Sequence, residues 1–174
     1  MSNALIVIDV QESFRQLPDW HLVSQPNIVD QVNRLVHAAR ERKDPVVWVL
    51  GTRPGTGTVF DPALGYCRLM DGLQPVEGEP VLTKTAHNAF TTTNLQQFLT
   101  ARGIRKLTVS GIKTEQCCET TTRIASDLGF DVTFAIDATA TTPIGDLGVA
   151  EIIERTEYVL DGRFATIRTV DQLT

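Results

Sequence analysis

The chain reads as an α/β protein: a three-layer α/β/α domain around a six-stranded, mainly parallel, Rossmann-like sheet. Two observations predict this. Short apolar runs rich in β-branched residues alternate along the chain with segments of helical periodicity. Those runs are almost continuously apolar, as expected of strands covered on both faces rather than half-exposed. With 174 residues, one domain spanning 1–174 can bury a sizeable core without disulfides or metals.

Each element follows from its local pattern. Ala4–Ile8 is the first buried strand, followed by a loop carrying Phe14, Pro18 and Trp20. Ile28, Val32, Leu35, Val36 and Ala39 recur at helical spacing, predicting a helix over Asn27–Arg42 that Pro45 stops. Val46–Leu50 is the second strand. The glycine- and proline-rich stretch Gly51–Glu79 then reads as a long loop. Val81–Thr83 is a short third strand, and Asn94–Ala101 a helix closed by Gly103. Leu107–Val109 is the fourth strand, followed by a helix over Glu115–Leu128 that Gly129 ends. Val132–Ile136, a helix over Val149–Tyr158 and a strand over Phe164–Ile167 complete the pattern.

The net charge of −5 and the lack of a basic stripe exclude a nucleic-acid surface and an acidic-membrane surface. The longest apolar run, Ala4–Ile8, is too short to span a bilayer. His21, His37 and His87 show no metal-ligand spacing, so no metal and no cofactor are expected. The first strand leads into Val10-Gln11-Glu12-Ser13-Phe14 without Gly-x-Gly-x-x-Gly, which argues against a dinucleotide site. Cys67, Cys117 and Cys118, in a chain read as lacking a signal peptide, suggest a reducing cytoplasm. Cys117 and Cys118 are poorly placed to bridge each other, because adjacent Cα atoms lie only ~3.8 Å apart.

In parallel α/β sheets ligands bind beyond the carboxyl ends of the strands, so the residues just after the apolar runs carry the functional signal. Asp9 follows the first strand, Lys84 the third, and Cys117 opens the helix after the fourth. Unpaired N–H groups at a helix start favour an anion, and a thiol there can have a lowered pKa and carry thiolate at neutral pH. A carboxylate can serve as its base, and an ammonium can stabilise both anions. The three form a candidate triad.

Three segments resemble the signatures of the isochorismatase-like cysteine hydrolases, in order and at matching separations. They are Leu5-Ile6-Val7-Ile8-Asp9-Val10-Gln11, Lys84-Thr85-Ala86-His87-Asn88-Ala89-Phe90 and Gly111-Ile112-Lys113-Thr114-Glu115-Gln116-Cys117. The resemblance implies a hydrolase that attacks a small amide-like carbonyl through a thioester. In it Asp9 is general base, Lys84 electrostatic partner and Cys117 nucleophile. It further implies a cis peptide at Ile112–Lys113 and an oxyanion hole from the backbone N–H groups of Lys113 and Cys117. A homo-oligomer, dimer or tetramer, is implied as well. The nicotinamidases of that family bind a metal through Asp-x-His after the second strand; here that position reads Leu50-Gly51-Thr52-Arg53, which points to the metal-free branch. Phe14, Trp20 and Phe90 are the candidate substrate-binding aromatics. The rival reading is a non-catalytic binding or redox-sensing α/β protein using Cys117 and Cys118.

Overall fold

A computed structural model describes residues 3–174 and places six strands in one parallel sheet. In chain order the elements are β1 (Asn3–Ile8), α1 (Glu12–Arg15), α2 (Ile28–Glu41), β2 (Val46–Gly51), β3 (Val81–Lys84) and α3 (Leu95–Ala101). There follow β4 (Lys106–Ile112), α4 (Glu119–Asp127), β5 (Asp131–Ala140), α5 (Val149–Leu160), β6 (Thr166–Arg168) and α6 (Val170–Leu173). The order across the sheet is β3-β2-β1-β4-β5-β6, so the chain reverses its direction of travel between β1 and β4. No helix among the described residues is long and apolar enough to cross a membrane.

Period-two alternation divides the strand side chains between two cores. Ala4, Ile6 and Ile8 join Leu95 and Leu99 of α3, Ala125 of α4 and Leu160 of α5 on one face. Leu5, Val7 and Trp48 meet Ile28, Val32, Leu35 and Val36 of α2, together with Val170 of α6, on the other. Both faces are covered, which explains why β1 and β2 lack the polar alternation of an exposed sheet.

Several elements depart from the sequence expectation: the short helices α1 and α6 were not expected, and β4 extends beyond Leu107–Val109 at both ends. β5 runs on to Ala140, past the polar Asp137 and Thr139, because an irregularity opposite Val109–Gly111 shifts its register and lets pairing resume at Gly111–Thr139. β6 is shorter and later than Phe164–Ile167, and Phe164 packs against the first core instead. The helix expected from Glu115 begins instead as a π-helical turn over Thr114–Cys118, with the Cys118 N–H reaching the Lys113 carbonyl at 3.2 Å. Such widened turns cluster at functional sites.

Gly111 sets how closely β1 and β4 approach. It pairs with Ile8 at φ 135°, and a Cβ there would run into the Ile8 backbone, carbonyl oxygen first. Neither neighbour is the flexible end of a side chain, so nothing can swing aside. Gly111→Ala is expected to cost about 3 kcal/mol or more, combining backbone strain with steric overlap. Urea unfolding of the variant beside the parent protein measures it; an unchanged midpoint would contradict the close approach.

Candidate active site

The ends of β1 and β4 flank the point where strand order reverses, the place where open α/β sheets form their binding crevice. A cavity of about 190 Å³ opens there, with Asp9, Lys84 and Cys117 among its lining residues. That is room for a small molecule.

Asp9 leaves β1 in the left-handed region, φ 54°, a conformation aspartate tolerates better than most residues. Its N–H still bonds the Val49 carbonyl of β2 at 2.8 Å, so the turn begins while the residue is tied to the sheet. Gln11 clamps the two strand ends from within. Its side chain accepts the Gly51 N–H at 2.8 Å and donates to the Gly51 carbonyl at 2.9 Å. Gly51 leaves space for the carboxylate, which would lie 3.2 Å from any Cβ there.

Lys84, the last residue of β3, has a nearly fully buried ammonium with three bonds. It meets Asp9 Oδ2 at 2.8 Å, the Ala86 carbonyl at 3.1 Å and Cys117 Sγ at 3.4 Å. Three donors and three acceptors leave it satisfied as a cation. Burial pushes its pKa down, but the Asp9 carboxylate and the Cys117 sulfur outweigh that and raise it. Asp9 moves up from the ordinary carboxylate range because burial outweighs the Lys84 charge. Its Oδ1 forms no well-aligned hydrogen bond among the described residues, leaving one oxygen open to receive a proton.

The Cys117 thiol is pushed up to about 12, by burial first and by the Asp9 carboxylate second, against the opposing pull of Lys84. This reverses the expectation of a resting thiolate. The anion-favouring helix start is outweighed because the group is 9% exposed and already faces a carboxylate. The thiol is thus held neutral beside the Asp9–Lys84 pair. The π turn that carries the thiol is anchored at its start, where Thr114 Oγ1 bonds Thr139 Oγ1 at 2.9 Å and Thr139 in turn bonds the Ile136 carbonyl at 2.8 Å. The Ile112–Lys113 peptide preceding it is cis.

Of the three aromatic candidates, Phe14 lines the cavity, edge-on to Phe60 at 5.1 Å. Trp20 and Phe90 do not. Trp20 packs beside Phe14 on the second core, and Phe90 is buried in the first core, stacked on Phe130 at 6.0 Å. Phe90 follows a chain of turns and its ring takes the core side; sequence position alone did not distinguish the two directions. Cys118 is fully buried in the first core, and burial raises its thiol well above the ordinary range. Cys67 lies apart in the long loop, its thiol donating to the Phe60 carbonyl at 3.1 Å.

Several further residues line the cavity. Arg53 and Phe60 come from the loop after β2, and His87 and Gln116 from the signature segments. Lys113 joins them, its ammonium held by Thr142 Oγ1 at 2.8 Å, while Thr142 bonds Asp19 at 2.5 Å. The signal for Arg53 was its position just past a buried strand end. Gln11, which clamps Gly51, carried no such signal, because its role depends on a partner forty residues away.

Comparison with known proteins shows the family and the fold. The chain matches the Isochorismatase domain over residues 3–171. The uncharacterized isochorismatase family protein YrdC of Bacillus subtilis is 30% identical, over 98% of this chain and 94% of its own. The crystal structure of an isochorismatase from Pseudomonas putida KT2440 superposes with a TM-score of 0.90 at 30% identity, over 99% of this chain and 90% of that one. The ureidoacrylate amidohydrolase RutB of Variovorax paradoxus is 35% identical over 103 residues, which is 59% of this chain and 39% of its own length.

Proposed function

The chain belongs to the isochorismatase family of hydrolases, and on that premise we propose that it is a cysteine hydrolase of a small amide-like C–N bond. The observation that carries the reading is the buried Asp9–Lys84–Cys117 contact at the floor of the cavity, with Lys84 Nζ 2.8 Å from the carboxylate and 3.4 Å from the sulfur.

In this reading Asp9 takes the thiol proton as Sγ attacks the carbonyl carbon, so the thiolate forms only as it is consumed. Lys84 keeps the developing negative charge balanced throughout. The backbone N–H groups of Lys113 and Cys117 receive the tetrahedral oxyanion, each worth about 3 kcal/mol in the transition state. Protonated Asp9 then hands its proton to the leaving nitrogen, and ammonia or an amine departs from a thioester. Water, deprotonated by Asp9, adds to the thioester and releases the acid and the free thiol. Nucleophile, base and oxyanion donors all come from the chain itself, so the route calls for no metal. An amide substrate also accords with the relative named as an amidohydrolase.

The test is release of ammonia from a broad panel of small primary amides, with Cys117→Ala as control. The variant is expected to lose activity by at least about 10⁴-fold, because the covalent route disappears altogether. Turnover surviving in Cys117→Ala would remove the thiol from the mechanism.

A further inference from the structure

The cavity holds more positive charge than the reaction uses. Lys84 is matched by Asp9. Lys113 is held by the Thr142 hydroxyl, with the Asp19 carboxylate only at a loose 3.8 Å. Arg53 also lines the cavity, and among the described residues its guanidinium has neither an ion pair nor a hydrogen bond. Arg105 and Arg163 are likewise without such partners among the described residues, but neither lines this cavity. Arg15, Arg40, Arg68, Arg123 and Arg155 all pair with carboxylates. The acid nearest in sequence, Asp61, is taken by the backbone N–H groups of Gly57 at 2.9 Å and Ala63 at 3.1 Å. The backbone of Arg53 is nonetheless fixed. Its N–H bonds the Phe60 carbonyl at 2.7 Å, and its carbonyl accepts the Thr56 hydroxyl at 2.7 Å. A solvent-exposed, unmatched arginine on a fixed backbone therefore lines the site, in a chain whose net charge is −5.

We infer that Arg53 is a specificity-determining residue that receives a carboxylate of the substrate. The inference rests on the hydrolase reading and narrows its substrate class to small amides bearing a carboxylate. A guanidinium presents a planar fork of donors that fits a carboxylate in bidentate fashion, which an ammonium cannot do. Phe14, Leu17 and Phe60 supply an apolar wall in the same cavity, suited to a short hydrocarbon spacer between the two polar ends. The excess charge draws the anion in and orients it, leaving the amide end for Cys117.

The experiment compares each ω-amide monocarboxylate from oxamate to glutaramate with the diamide of the same length. These pairs differ in charge and hardly in size. The best anionic member is expected to exceed its diamide in kcat/KM by about 10- to 100-fold, the range of a charge-assisted bond. Arg53→Gln should bring that ratio toward one, and Arg53→Lys should restore part of it. Arg68→Gln, which changes the same charge outside the cavity, should leave the ratio as it is. Calorimetric binding of the same pairs to Cys117→Ala provides a readout independent of turnover. Tighter binding of an anionic amide, abolished by Arg53→Gln, sustains the carboxylate site even if no amide is hydrolysed. Hydrolysis with no anionic preference, or a preference that survives Arg53→Gln, overturns the site and leaves the hydrolase reading standing.

Discussion

Asp9→Asn is expected to abolish amide hydrolysis while making Cys117 more reactive toward iodoacetamide. The two readouts move apart because Asp9 acts on the thiol in two opposite ways. As a base it accepts the thiol proton during attack, and its loss should lower kcat/KM by about 10²- to 10⁴-fold. As a fixed negative charge it is one of the forces holding the thiol at about 12. An uncharged amide at that position leaves the Lys84 ammonium, 3.4 Å from the sulfur, as the dominant local charge. The thiolate is then favoured and the thiol pKa falls. While thiolate is the minor form, each unit of fall gives about tenfold more of it, offset partly by weaker intrinsic nucleophilicity. Alkylation of Asp9→Asn at pH 8 should therefore run about tenfold or more faster than in the parent protein. In the parent, alkylation should climb steadily from pH 7 to 10 without levelling. Slower alkylation in the variant would mean that Asp9 sustains a resting thiolate, and the neutral-thiol ground state would be wrong.

The fold was legible because its signal is repetitive. β1 and β2 are runs of apolar residues, Ala4–Ile8 and Val46–Leu50, later strands keep an apolar core such as Val132–Ile136, and the long helix α2 presents the stripe Ile28-Val32-Leu35-Val36. Strand ends are also legible, which is why Asp9, Lys84 and Cys117 could be placed at one rim before their distances were known. What the pattern lacks is the local geometry. The π turn at Thr114–Cys118 and the bulge beside Gly111 arise from tertiary ties, Thr114 to Thr139 and Gly111 to Ile8, that join segments far apart in sequence. The direction of a ring such as Phe90, and the state of a buried thiol, depend on the same distant partners. Helix-start electrostatics pointed one way for Cys117, while burial and Asp9 pull the other way and win.

Lys84 should matter to stability as much as to catalysis, and the effect should depend on pH in a diagnostic direction. Its side chain and that of Asp9 are 3% and 4% exposed, so removing the cation strands a carboxylate out of reach of water. Breaking one partner of such a pair typically costs about 3–5 kcal/mol, even though the intact pair contributes little beyond its own desolvation. The stranded carboxylate can escape the penalty only by taking up a proton, so its folded-state pKa in Lys84→Met rises further above the unfolded value. A group with a raised folded pKa contributes its stability below the unfolded pKa and loses it as pH climbs through the folded one. Lys84→Met should accordingly lie nearer the parent protein at pH 5 than at pH 8. Neutralising the partner as well removes the cause. Asp9→Asn combined with Lys84→Met should recover most of the loss at pH 8 and abolish the pH slope, while remaining inactive. That non-additivity, read by urea unfolding of the four proteins of the cycle, separates a charge relationship from simple loss of packing. A hole left by the lysine stem would be equally costly with aspartate or asparagine beside it, and equally costly at both pH values.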